Sequence, residues 1–135
     1  MSYDLMVFDP GVAPRDRLEF LRWYRAQVQW PEPHDYRDPA TTCASLAAVY
    51  FDMLHEFPNL RAIDSSGLDE GDLRIAEYAF GYSILYIAFR WPVADAAYST
   101  VRALADKHRV GFFDVTADYC PQIWFPPQSP DAHPT

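Results

Sequence analysis

Lysine, glycine and cysteine are all scarce in this chain. Ten of its eleven cationic side chains are arginine and only Lys107 is lysine, against nineteen acids, for a formal charge of −8. Direct binding to DNA or RNA calls for a basic footprint facing phosphate, and this balance argues against it. Five scattered glycines build no phosphate cradle, and no G-x-G-x-x-G, Walker-type or G-x-S-x-G sequence occurs. Cys43 and Cys120 are too few for a disulfide framework, which points to reduced thiols and a cytoplasmic setting. The longest apolar neighbourhood, Ile84 to Phe89, stops at Arg90 and is too short to span a bilayer. The N-terminus has no positive segment leading into a long apolar stretch, so it does not read as a secretory signal.

What is present suits one globular domain. Half of the 135 residues are hydrophobic and 16% are aromatic, enough for a single core over residues 1–126. Residues 127–135 read as a flexible, proline-rich tail. Tyr3 to Phe8 forms a first strand, stopped by Asp9-Pro10-Gly11. Pro14 opens a helix through Leu18, Phe20, Leu21, Tyr24 and Val28, with arginines 15, 17, 22 and 25 on its wetter side. Prolines 31, 33 and 39 then impose an extended, turn-rich loop from Trp30 to Pro39.

Leu46, Val49, Tyr50, Met53, Leu54 and Phe57 recur at helical spacing. They predict a helix over roughly residues 40–57, capped by Thr41 or Thr42. Leu73 to Phe80 and Ser83 to Phe89 read as two strands joined at Gly81-Tyr82. A third helix opens at Pro92, with Ala94, Ala97, Tyr98, Val101, Leu104 and Ala105 as its buried stripe; strands at Val110 to Val115 and Gln122 to Phe125 follow. The order β-α-α-β-β-α-β-β predicts an α+β fold, a mainly antiparallel sheet with helices on one face. Setting aside the second helix and the last strand leaves a ferredoxin-like, split-βαβ core.

Chemical signatures are sparse. Histidines 34, 55, 108 and 133 lie at no metal-ligand spacing from one another or from a cysteine, so no metal site and no cofactor are expected. Cys43 lies near a helix start, where a dipole lowers thiol pKa, but no local motif supports a nucleophile. Asp114 with Asp118, and Asp35 with Asp38, are carboxylate pairs that more often cap turns than catalyse. No catalytic residue is assigned.

Two surface features remain as partner-binding candidates. Asp64, Asp69, Glu70, Asp72 and Glu77 gather five acids around a single base, Arg74, and offer a docking face for a basic partner. Trp30, His34 and Tyr36 form an aromatic loop of the kind that anchors interfaces or pins itself to a core.

The opening M-S-Y-D-L-M-V-F at Met1–Phe8, Phe57-Pro58, V-G-F-F-D-V at Val110–Val115 and I-W-F-P at Ile123–Pro126 resemble pieces of small bacterial proteins of the toxin-immunity kind. The resemblance implies a non-catalytic cytosolic protein that binds and neutralises a cognate antibacterial toxin, a nuclease or other basic effector, by presenting an acidic surface. The alternative is a small-molecule-binding or enzymatic domain with Tyr78, Tyr86 and Trp124 lining an aromatic pocket. A homodimer paired through an exposed sheet edge is a third arrangement.

Overall fold

A computed structural model describes residues 2–60, 73–116 and 122–127. Its centre is β1 (Tyr3–Phe8), antiparallel to β3 (Ile84–Phe89) on one side and to β4 (Gly111–Asp114) on the other. β2 (Glu77–Phe80) extends the sheet beyond β3, and β5 (Ile123–Trp124) extends it beyond β4. The strand order is β2-β3-β1-β4-β5, antiparallel throughout. Among the described residues, α1 (Arg17–Gln27), α2 (Ala44–Met53) and α3 (Ala94–His108) complete the expected α+β architecture.

The alternation of β1 explains the layers. Tyr3, Leu5 and Val7 are buried on one face of the sheet, Met6 and Phe8 on the other. A strand apolar on both sides requires cover on both sides. On the first face, Leu46, Val49 and Met53 of α2 and Ala97, Val101 and Ala105 of α3 pack with Leu5, Val7, Leu85, Ile87 and Phe112. On the second, Phe20 of α1 packs with Met6, Phe8, Ile84 and Phe113, its ring 4.9 Å from Phe8 and 5.2 Å from Phe113.

The expectation of helices on one face is therefore corrected: α2 and α3 share a face and α1 covers the other. Leaving Phe8, Ile84 and Phe113 in water would forgo roughly 1.5–3 kcal/mol each, and α1 supplies the lid. The helix outside the β-α-β-β-α-β core is accordingly α1, not the second helix. β1 reaches β2 by way of α2, and β3 reaches β4 by way of α3, each crossover passing one intervening strand.

Element ends follow from local polar bonds. α1 starts at Arg17 rather than at Pro14 because the Asp16 carboxylate accepts the Glu19 N–H at 3.1 Å. α2 is shorter than residues 40–57. Asp38, not Thr41 or Thr42, caps a 3-10 turn at Pro39–Thr41 by accepting the Ala40 N–H at 2.9 Å, and α2 begins after Cys43. The strand predicted from Leu73 begins at Glu77, since Ala76 is held by the 58–60 segment: its N–H donates to Pro58 O and its carbonyl accepts from Leu60, both at 2.9 Å. Gly111 is obligatory on β4, because a Cβ there would lie 2.1 Å from the Phe8 ring.

Among the described residues, no helix is long and apolar enough to cross a membrane. Cys120, Asp118, His133 and the tail beyond Pro127 lie outside the described residues.

Candidate functional site

The segment W-P-E-P-H-D-Y-R-D between α1 and the 3-10 turn has no helix or strand to hold it, and its order comes from side chains. Pro33 centres a three-residue turn in which the His34 N–H donates to Glu32 O at 2.9 Å; the fixed φ of proline suits that turn. The Asp35 carboxylate accepts the Arg37 N–H at 3.0 Å, closing a second small turn. Within the loop the Glu32 N–H donates to the Tyr36 hydroxyl at 2.6 Å, and the Tyr36 N–H donates to His34 Nδ1 at 3.1 Å. Since Nδ1 accepts, the neutral ring carries its proton on Nε2, which donates to Glu32 Oε1 at 2.6 Å.

Two further bonds fasten this loop to the β2–β3 hairpin. The Phe80 N–H donates to Tyr36 O at 2.9 Å, and the Tyr82 N–H donates to Glu32 Oε1 at 3.0 Å. Glu32 thus accepts from both its own loop and the hairpin turn, with only 14% of its side chain exposed. The rings follow the same path. Tyr82 lies 5.0 Å from His34, His34 lies 4.2 Å from Tyr36, Tyr36 lies 4.9 Å from Trp30, and Trp30 lies 5.8 Å from Tyr86 of β3. The result is a row of five rings whose members Tyr82 and Trp30 stay 49% and 38% exposed.

Backbone strain marks the same segment. Trp30 and Tyr36 have φ of 56° and 63°, the left-handed region that bulky residues seldom occupy. Each such residue costs of order 1–3 kcal/mol and persists only where its surroundings over-determine it. Beneath the row, the Tyr86 hydroxyl donates to Asp4 Oδ2 at 2.5 Å, and Asp4 also accepts from the Ser2 hydroxyl. Burial first, then the hydrogen bond to Asp4, pushes the Tyr86 hydroxyl well above the ordinary phenol range. Tyr24 of α1 is bonded to Tyr86 and is raised chiefly by burial.

The structure therefore brings together Trp30, His34 and Tyr36, and adds two residues that sequence reasoning missed, Glu32 and Tyr82. Glu77 is exposed on β2 and pairs with Ala88, on the same face as Ala79 and its partner Tyr86. Asp64, Asp69, Glu70 and Asp72 lie outside the described residues, so the acidic face is represented here by Glu77 alone.

The pocket expected of Tyr78, Tyr86 and Trp124 does not form. Tyr78 is buried in the helical-face core and donates to Phe57 O at 2.6 Å, Trp124 lies on the opposite edge strand, and Tyr86 points to the other face. A register of alternating faces separates neighbours that composition alone groups together.

Cavities lie elsewhere among the described residues. A groove of about 650 Å3 runs between the end of α2 and α3, with Ala96, Ser99, Thr100 and Ala103 on one wall. Its charges are paired among themselves: Lys107 and His108 reach Asp52 at 2.9 and 2.7 Å, and Arg74 reaches Glu56 at 2.9 Å. The hydrogen bond from His108 first, then that from Lys107, holds the Asp52 carboxyl below the usual carboxylate value of 3.8. A smaller cavity of about 190 Å3 opens between Glu77 and Arg90 over Ala88 and Phe89. Among the described residues, no group of three or more His, Cys, Asp or Glu side chains is arranged to hold a metal ion.

No protein-family model, no curated protein and no solved structure matches this chain.

Proposed function

We propose that this protein is a non-catalytic binding module of the immunity kind, acting in the cytoplasm to neutralise a cognate antibacterial toxin stoichiometrically. The observation that carries the reading is the strained 30–38 loop. Two aromatic residues are held at left-handed φ by a web of hydrogen bonds, and the row leaves Trp30 and Tyr82 open to water. Strain of that kind gathers where a surface is pre-organised for a ligand. Exposed Trp and Tyr on a rigid support are the residue types that dominate interface energetics.

Charge supports a basic partner. The −8 protein attracts a basic toxin at long range, and a nuclease or other effector with a cationic cleft fits that sign. The test is to purify the product of the neighbouring reading frame, mix it with this chain and measure affinity and residual toxin activity. A one-to-one complex that silences the toxin, weakened about 30-fold or more by Trp30→Ala, is the expected result. Full binding by both Trp30→Ala and Tyr82→Ala would remove the loop from the interface.

A second reading, a small-molecule-binding or enzymatic domain, draws on the α2–α3 groove, whose volume of about 650 Å3 suits a ligand site. A thermal-shift screen with metabolites and metals separates the two, because a specific ligand raises the unfolding midpoint by mass action.

A further inference from the structure

We propose that the outward face of α2 is a self-association surface, on which a second copy of this chain docks antiparallel across a two-fold axis. The three helices differ in what they turn outward. α1 has Arg17, Glu19, Arg22 and Arg25 exposed, and α3 has Asp95, Asp106 and Lys107 exposed, as solvated faces do. α2 has no such face. Residues 39–51 hold no charged side chain, in a chain that is 22% charged. The inner stripe of α2, Leu46, Val49, Tyr50 and Met53, is buried in the core. Its outer stripe runs through Ala44, Ala48 and Phe51 to His55 in the turn that follows; Ala44, Phe51 and His55 are exposed, Phe51 by 55%. A helix that is apolar all round belongs in an interior, and this one is covered on a single side.

The stripe itself points to the occupant. Ala44, Ala48, Phe51 and His55 follow one another at intervals of 4, 3 and 4, the spacing of a coiled-coil seam. That spacing reads the same in both directions. An antiparallel copy therefore meets it position for position, with Phe51 of one chain on Ala48 of the other and His55 on Ala44. Each large side chain falls on a small one in both halves at once, as a closed two-fold contact requires. A parallel copy would set Phe51 on Phe51, leave alanine facing alanine and align the two helix dipoles.

Charge and size set the strength. Asp52, beside the stripe, is bonded within its own chain to Lys107 and His108. Two copies of formal charge −8 repel at long range, and the uncharged seam leaves that repulsion as the part salt can screen. Ala44 to His55 spans about 16 Å at the helical rise, a short seam. The association is accordingly weak and reversible, with a Kd on the order of 10–100 µM. The outer edge of β2 is less suited to pairing, because its own chain already bonds it: Phe80 N–H donates to Tyr36 O, and Ala76 is bonded to Pro58 and Leu60. None of Trp30, His34, Tyr36 and Tyr82 belongs to the α2 stripe, so the inference stands apart from the toxin-docking reading.

The test is sedimentation velocity of the full-length chain from about 5 to about 500 µM, a range that brackets weak association. The mass is expected to rise with concentration toward twice that of one chain, and the dimer to tighten as sodium chloride goes from about 50 to about 500 mM. Ala48→Glu and Phe51→Lys should each weaken the dimer about tenfold or more, with an unchanged unfolding midpoint in dilute solution. An equimolar mixture of the two variants sets glutamate against lysine at one end of the seam and keeps Phe51 against Ala48 at the other. Association is expected to return in that mixture.

A chain that stays monomeric across the series at high salt, or a dimer that neither variant weakens, would overturn the inference. So would two monomeric variants whose mixture remains monomeric. Toxin affinity lost in Trp30→Ala leaves this surface untouched, and a dimer abolished by Phe51→Lys leaves the docking loop in place.

Discussion

The two faces of the sheet bury apolar surface by different means. On one, α2 and α3 lie side by side over β1, β3 and β4, and the core runs unbroken from Tyr3 to Phe112. Polar groups at its margin are paired with each other, as Asp52 is with Lys107 and His108. On the other face, α1 covers Met6, Phe8 and Phe113, while the β2–β3 end is met by a loop whose rings are only partly withdrawn from water. Helices cover a sheet by regular backbone bonds and leave little to specify. A loop must spend side-chain hydrogen bonds and left-handed residues to hold one shape, and that expense is concentrated around Glu32, His34 and Tyr36. Stability is thus expected to reside in the first face and recognition in the second.

The sharpest way to break this division is truncation on each side. Phe57 is fully buried on the helical face, and Phe57→Ala should cost about 3–5 kcal/mol in denaturant unfolding while the folded fraction keeps its partner affinity. Trp30→Ala should cost under about 1.5 kcal/mol of stability and yet remove most binding. Equal stability losses at the two positions would erase the distinction.

A smaller effect is expected from Glu32→Gln. The amide keeps one acceptor oxygen but loses the charge that strengthens the bonds from His34 and Tyr82, for a loss of about 1–2 kcal/mol in unfolding. Trp30 fluorescence should report a loosened loop before global unfolding begins.

The helical face carries a pH signature. Because Asp52 is depressed by His108 and Lys107, its contribution is fully present above the ordinary carboxylate value of 3.8 and is lost as pH falls through the lower folded value. The stability gap between the native chain and Asp52→Asn should therefore narrow on acidification below about pH 4. The same profile measured through partner affinity should show no such narrowing.

The smallest change is a gain. Arg109 ends α3 with φ of 57°, and the Val110 N–H donates to Ala105 O at 3.0 Å, the bond pattern of a glycine-favouring C-terminus. Arg109→Gly should add about 0.5–1 kcal/mol to unfolding free energy and leave binding unchanged.

Much of the fold was legible in the chain. β1 is legible with its true ends because a short apolar run meets Asp9-Pro10-Gly11; α3 is legible as a helix from its apolar spacing, but it opens at Ala94 rather than Pro92, which lies in a 3-10 turn over Trp91–Val93. The sheet face of α1 was not legible: periodicity says that a helix has an apolar stripe, not which side of a distant sheet the stripe meets. The start of α1 at Arg17 is set by Asp16, and that of the 3-10 turn before α2 by Asp38, acids that composition places equally well in solvent.

At the site, Trp30, His34 and Tyr36 stood out as aromatics among prolines. Glu32 and Tyr82 did not, since their bond joins residues 50 apart and no local pattern encodes it. Tyr78, Tyr86 and Trp124 were grouped by ring type, and strand alternation divides them between faces.

Backbone hydrogen exchange, measured on the chain alone and in complex with the partner proposed above, tests the central division most directly. The account predicts added protection at Arg37, Tyr82 and the amides beside them, with α2 and α3 unchanged. Protection gathered instead along the α2–α3 groove, from Asp52 to Glu56 and from Ala96 to Lys107, would contradict it.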